Sequence, residues 1–449
     1  MPCHRKPIQM KKLLPLLFLS TTLLAQTNPK LQLKLDQHAA AIEQKTIEWR
    51  RYFHEYPELS NEEVKTAAKI AEHLKSLGLE VKTGIARTGV VGLLKTGKAG
   101  PVIGLRADMD ALPVNERNSL IFASKEKVIF NEKETGVMHA CGHDSHMAIL
   151  MAVAEVLSKN KAELKGMVKF IFQPAEEGAG TVLGGAQLMI QEGVMENPKV
   201  DVMFGLHIQS TVPVGTIAYR PGGLMAAPDF FTIIIKGKGA HGSTPWDGVD
   251  PIVVGAQIVL GLQTIISRQT ELTKEPAVIT IGRFNSGIRE NIIPEEATMS
   301  GTVRTFDKKM QKDIFERMRI TAENIAKSAG ATAELQIAWG SPVTYNDEAL
   351  TAKMTPSLQR ASGNKAIIVN PVTMGEDFSY FQEKVPGLFF FLGGMTPGTD
   401  PKKAPIHHTA DFMLDESGFG VGVKALINLT TDYMFSEKTP TEVKLEKKN

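Results

Sequence analysis

A chain of 449 residues is longer than one ordinary domain, so it predicts two domains or one large domain interrupted by an insertion. Hydrophobic residues make up 43% and charged residues 22%, which excludes a disordered or fibrous polymer. The 51 Lys and Arg nearly balance the 49 Asp and Glu and are scattered among them, so no nucleic-acid footprint is expected.

Lys11 and Lys12 precede an apolar run from Leu13 to Leu24, followed by Ala25 and a polar stretch. This is the pattern of a secretory signal peptide over residues 1–25. The run is short for a membrane span, so an exported, periplasmic or secreted product with no stable membrane insertion after leader cleavage is expected. Cleavage would remove Arg5, Lys6, Lys11 and Lys12 and no acid, taking the formal charge from +2 to −2. It would also remove Cys3 and leave Cys141 without an intramolecular disulfide partner.

Ile42, Ile47, Tyr52 and Phe53 recur among charges and predict an amphipathic helix from Asp36 to Glu55. Ser60 followed by Asn61, Glu62 and Glu63 resembles an N-cap opening a second helix that runs to Leu77. Val81, the stretch 89–94 and the run 102–107 predict strands, the last apolar enough to be buried on both faces. A helix over 147–157, a strand over 167–173, a helix over 185–191 and a strand over 202–207 complete a doubly wound α/β pattern. The texture changes near Pro228. Residues 228–338 then read as strand, helix, strand, strand, helix, strand, the order of an inserted ferredoxin-like α+β unit. The α/β pattern resumes over 339–435, with a strand at 388–392 and a closing helix at 419–435, so the larger α/β domain comprises 26–227 and 339–435. The Lys/Glu/Thr-rich tail 436–449 is expected to be disordered.

Ligand chemistry concentrates in Met138, His139, Ala140, Cys141, Gly142, His143 and Asp144. A thiolate and an imidazole flanking one glycine suit a first-row divalent metal. Further polar groups fall where predicted strands end, which is where such sheets bind ligands: Asp108, Glu176 with Glu177, His207, and His407 with His408. Adjacent Glu176 and Glu177 suggest one carboxylate on metal and one free as a general base, against the plainer reading of a solvated acidic turn. Cys141, His143, Glu177, His207 and one C-terminal histidine are too many ligands for one tetrahedral ion and suit two.

The stretches 51–60, 104–113, 138–144, 172–178, 205–207, 239–245, 291–294, 375–378 and 408–412, in this order along the chain, resemble the M20 metallopeptidase family in its amidohydrolase branch. That branch includes aminoacylase-like, hippurate-hydrolase-like and auxin-conjugate hydrolases. The resemblance implies two divalent ions (Mn, Zn, Ni or Co) on Cys141, His143, Glu177, His207 and His408, with Glu176 as catalytic base. His408 is preferred over His407 because it begins the family's His-x-Pro-x-Phe pattern, although Ala410 stands in the proline place. It also implies that the inserted unit is a lid and dimerisation module, that His241 stabilises the oxyanion in the partner's site, and that Asn291 and Arg304 hold a substrate carboxylate. Asp108 and Asp144 are expected to support ligand histidines from behind. The implied reaction is hydrolysis of N-acyl amino acids. A metallo-dipeptidase or another deacetylase is the alternative within the enzymes, and an inactive binding protein on the same fold the alternative outside them.

Overall fold

The computed structural model describes residues 27–178 and 185–436; the expected leader and all but the first residue of the expected tail lie outside them. An eight-stranded mixed sheet organises the larger body. Its centre is four parallel strands in the spatial order Met167–Gln173, Val102–Asp108, Val202–Pro213 and Gly387–Met395. Antiparallel Gly89–Lys95 and Glu80–Ile85 extend one edge. Ile217–Tyr219, antiparallel to Gly387–Met395, and Ala366–Ile368 extend the other.

Alternation along the central strands sorts their side chains by face. Ile103, Leu105, Phe170, Phe172, Phe204, Leu206, Phe390 and Leu392 enter one core with apolar residues of Pro29–Ala41, Glu43–Glu55, Val64–Ser76, His143–Lys159 and Phe419–Phe435. Each fully buried phenylalanine there contributes roughly 2–3 kcal/mol of transfer free energy. Ile171, Met203 and Phe389 face the opposite side and pack on Ala186, Met189, Phe378 and Phe381. Both faces are therefore covered, as the doubly wound pattern requires. Arg106, Asp108, Gln173 and His207 project toward this second side, and that is why polar chemistry collects there.

Residues 227–338 form a separate four-stranded antiparallel sheet in the order Ala277–Ser286, Glu296–Thr305, Ala227–Lys236, Thr332–Ala338. Helices Pro251–Thr264 and Lys308–Ser328 cover one face, and Ile233, Ile258, Leu262, Met299, Ile314 and Met318 make a core of their own. This is the ferredoxin-like order. Asp250 caps the first helix, accepting from the Ile252 and Val253 N–H groups, and Asp307 caps the second through the Met310 N–H.

Several local expectations are corrected. The first predicted helix is two, Pro29–Ala41 and Glu43–Glu55, parted at Ile42. The next helix starts at Val64 rather than at a Ser60 cap. Glu58 does the capping from a distance, accepting from the N–H groups of Lys65 at 3.1 Å and Thr66 at 2.8 Å, while the Ser60 hydroxyl donates to Asp110. The helix placed at 147–157 begins at His143, inside the ligand-rich stretch. A hairpin of Lys127–Phe130 and Lys133–Gly136 was not expected; its turn residues Asn131 and Glu132 take positive φ of 49° and 64°.

Candidate metal centre

Two backbone devices bring the cluster together. Gly142 has φ +90°, and a Cβ added there would lie 2.5 Å from Ile208 Cγ2, so only glycine lets the chain turn between Cys141 and the first helical residue, His143. After Met167–Gln173 the chain turns through Ala175 at φ +51°, its N–H held by buried Glu63 at 2.9 Å. That turn delivers Glu176 and Glu177 beside the thiol. Val202–Pro213 brings His207, with Nε2 3.4 Å from Cys141 Sγ. His408, at φ +62° and fixed by its N–H to the Ala140 carbonyl, sets Nε2 3.3 Å from the same sulfur and 3.0 Å from Glu177 Oε1.

The five expected ligands are thus grouped: Cys141, His143 and His207 converge, as do Cys141, Glu177 and His408, and Glu176 joins His143 and Glu177. His407 is committed elsewhere, its Nε2 bonding the Ile208 carbonyl at 2.9 Å, so the geometry favours His408 of the two. Ring orientation fits cation binding. His207 Nδ1 donates to the Ile208 carbonyl at 2.7 Å and His143 Nδ1 to that of Asp110 at 2.8 Å. Both Nε2 lone pairs are then left facing inward, and His143 Nε2 is buried without a hydrogen-bond partner.

The electrostatics describe a site loaded with protons that a cation would displace. Burial pushes the Cys141 thiol well above its ordinary range, and Glu177, Glu176 and Asp108 add to this. Burial works against a charged His143, yet Asp108, Asp110 and Glu177 outweigh it and raise that group to about 10. Glu176 is held well above the usual carboxylate range, by burial first and then by Glu376, Glu177 and Asp377, with Arg106 opposing. A divalent charge among these groups would reverse each effect and release protons on binding.

The two acids expected behind the ligands divide differently. Asp108 Oδ1 accepts from His146 Nδ1 at 2.6 Å, while its other oxygen pairs with Arg106 at 2.7 Å and lies 3.7 Å from His143 Nε2. His146 Nε2 in turn accepts the Ile208 N–H at 2.8 Å, so this histidine is fully occupied. Asp144 touches no expected ligand: it points away from the cluster to Arg50 at 2.9 Å and His54 at 2.7 Å, because the helix that starts at His143 turns consecutive side chains apart. The support expected of Asp144 falls to Asp110. Its Oδ1 lies 3.2 Å from His143 Nδ1, and its Oδ2 accepts from the Glu177 N–H at 2.9 Å and from the Ser60 hydroxyl at 2.6 Å. The signal was available, since Asp110 follows Asp108 at a spacing of two just past a strand end.

Behind the cluster lies a second polar knot. Fully buried Arg106 reaches Asp108 at 2.7 Å, Glu376 at 2.9 Å, Asp377 at 2.8 Å and Gln173 at 2.8 Å. Burial is the largest influence on Glu376 and Asp377 and outweighs Arg106, raising them to about 7 and about 6.

A cavity of about 870 Å³ opens onto Cys141, Glu176, Glu177, His207 and His408 and reaches Arg304 across the boundary with the smaller sheet. Arg304 sits opposite Pro228 at the base of that sheet, its guanidinium 6.0 Å from the Phe230 ring. Among the described residues it makes no ion pair, and burial lowers its pKa despite Asp229. His241 and Asn291 do not line this cavity. They are neighbours beside a separate two-stranded pairing of Ala240–His241 with Ile292–Ile293, joined through the Gly242 N–H to the Asn291 carbonyl, and both are exposed.

A model of Peptidase family M20/M25/M40 matches residues 104–432. Thermostable carboxypeptidase 1 of Saccharolobus solfataricus is 42% identical over 409 residues, covering 90% of this chain and 99% of its own. N-acetylcysteine deacetylase of Bacillus subtilis is 41% identical over 382 residues, covering 85% of this chain and 94% of its own. Among solved structures, a dinuclear metal binding M20 peptidase of Bacillus subtilis superposes with a TM-score of 0.74 at 37% identity, over 89% of this chain and 100% of that one.

Proposed function

Since the chain belongs to peptidase family M20/M25/M40, we propose that it is a metal-dependent amidohydrolase cleaving N-acyl amino acids to a carboxylic acid and a free amino acid. The observation that carries this is a half-buried arginine with no ion pair among the described residues, in the same cavity as Cys141, Glu177, His207 and His408 and the partly buried carboxylate of Glu176. The names of the two relatives point the same way, because a carboxypeptidase and an N-acetylcysteine deacetylase both release an amino acid whose own carboxylate is free.

Cys141, His143, Glu177, His207 and His408 would hold two divalent cations, which when bound supply a water of lowered pKa and polarise the scissile carbonyl. Glu176 takes the proton of the attacking water and returns it to the leaving amine, so that water's O–H and the C–N bond break while C–O and N–H form. The Arg304 guanidinium matches the substrate carboxylate as a fork. Asn291 and His241 complete the carboxylate and oxyanion contacts from the lid of a second subunit. Their exposure supports this, as does the uncovered apolar surface on Pro251–Thr264, where Val253 is 54% and Leu260 71% exposed. Export through the 1–25 leader is part of the same proposal, supported by the basic and apolar pattern alone.

The test is a hydrolysis screen of N-acyl amino acids, their amides and free-amine dipeptides, with Mn, Zn, Ni and Co each returned to stripped protein. Cleavage confined to substrates with a free carboxylate and a blocked amine is expected. Equal turnover of the carboxamides removes Arg304 from its role, and preference for free-amine dipeptides replaces the reading with a dipeptidase.

A further inference from the structure

A second cavity, of about 620 Å³, meets the first at Glu177 and Gly178. Its floor is Leu59, Ala111 and Leu112, from segments joined by the Leu59–Ala111 bridge, and its outer wall is the Lys127–Gly136 hairpin. Val128, Ile129 and Phe130 supply that wall, and Ile129 and Phe130 are 72% and 43% exposed. Two large apolar side chains left in water on a protruding hairpin, beside a cleft, mark a surface that expects cover. The charged groups around it are Glu58, Glu62, Glu126, Glu177 and Lys65, an acidic excess that disfavours an anionic occupant. Glu58 is already committed to backbone N–H groups.

The occupant follows from the order of atoms in the substrate, and so rests on the function proposed above. With the amide at the Cys141–Glu177 cluster and the carboxylate on the Arg304 side of the first cavity, the acyl arm leaves in the other direction. We infer that this arm enters the cleft between the hairpin and Leu59–Leu112, so the preferred substrates carry a long, neutral, unbranched acyl chain rather than acetyl. An acetyl group leaves the cleft empty, whereas its volume lies in the range of sites that enclose a whole organic ligand.

The experiment measures kcat/KM on metal-loaded protein for one amino acid acylated with acetyl, butanoyl, hexanoyl, octanoyl and dodecanoyl groups. A rise of roughly three- to fourfold per methylene is expected until the cleft is filled. Ile129→Glu, at an exposed position where folding is not at stake, should lower the dodecanoyl-to-acetyl ratio by about tenfold or more, the cost of facing a charge with apolar chain. Ile121→Glu, the same change at a 93% exposed site outside the cleft, should keep the parent ratio. A flat or falling length series with acetyl turnover intact overturns the acyl assignment alone. An equal fall of the ratio in both variants overturns it too. Absence of turnover for every N-acyl amino acid overturns the underlying function and this inference with it.

Discussion

Arg106→Met removes the guanidinium from a knot of buried acids while nearly keeping side-chain volume. The guanidinium lies 2.7–2.9 Å from Asp108, Glu376 and Asp377, and all four side chains are under a tenth exposed. Removing one partner of a buried ion pair costs about 3–5 kcal/mol, since the survivor keeps its desolvation penalty without compensation. Three acids share this arginine, so the upper end of that range is expected at pH 8, a fall in Tm on the order of 5–10 °C. The loss should depend on pH with a definite sign. Glu376 and Asp377 already titrate at about 7 and about 6 in the folded protein, above their ordinary values, so the folded state binds more protons and stability falls as pH rises through that window. Without Arg106 both values move further up. The variant therefore recovers stability as the acids take protons, and its deficit at pH 5.5 should be clearly smaller than at pH 8. Thermal unfolding of parent and variant at the two pH values measures this. A deficit under about 1 kcal/mol, or one equal at both pH values, would refute an uncompensated-charge origin.

Glu176→Gln should lower kcat by about 10²-fold to 10⁴-fold with both metals retained, the range of a lost general base; parent-like turnover removes Glu176 from that role. Cys141→Ser should cut bound metal measured by elemental analysis, because an alcohol is far less acidic than a thiol and seldom replaces a thiolate as a ligand; full occupancy would show that the thiol is not a ligand. Mixing inactive Glu176→Gln with inactive His241→Ala should restore activity to about a quarter of the parent if subunits exchange freely and each site borrows His241 from its partner. No recovery despite demonstrated exchange would place His241 within its own subunit.

Much of the architecture was readable because burial on two sides leaves a plain mark. The runs 102–107, 167–173 and 388–392 are nearly continuous apolar stretches, and each is a central strand. The strand–helix order after Pro228 gave the second sheet for a similar reason, since its elements alternate polar and apolar residues around one small core. What escaped depended on contacts distant in sequence. Nothing near Ser60 shows that its hydroxyl turns to Asp110 while Glu58 caps the helix. Sequence alone leaves the direction of Asp144 open, since the turn of the helix from His143 and the remote pair Arg50 and His54 decide where it points. The hairpin over 127–136 lacks the glycine that usually announces such a turn, and Asn131 and Glu132 adopt the left-handed region without it. The cluster was legible as a set of residue types, while Asp110, which ties three of its segments together, was not singled out.

Cys141 and His408 stand 267 positions apart, yet their ligand atoms are 3.3 Å apart. An ion shared within this group would work as a removable cross-link closing a very long loop, and its gain would come largely from the disorder it denies the unfolded chain. The stretch between Thr396 and Asp415 holds neither helix nor strand, so His408 is moored by scattered contacts such as its own N–H to Ala140 and the Arg117–Asp411 pair. Chelation should accordingly loosen this stretch before the sheet behind it, and susceptibility to proteolysis near residue 400 would serve as a gauge of metal loading that needs no substrate.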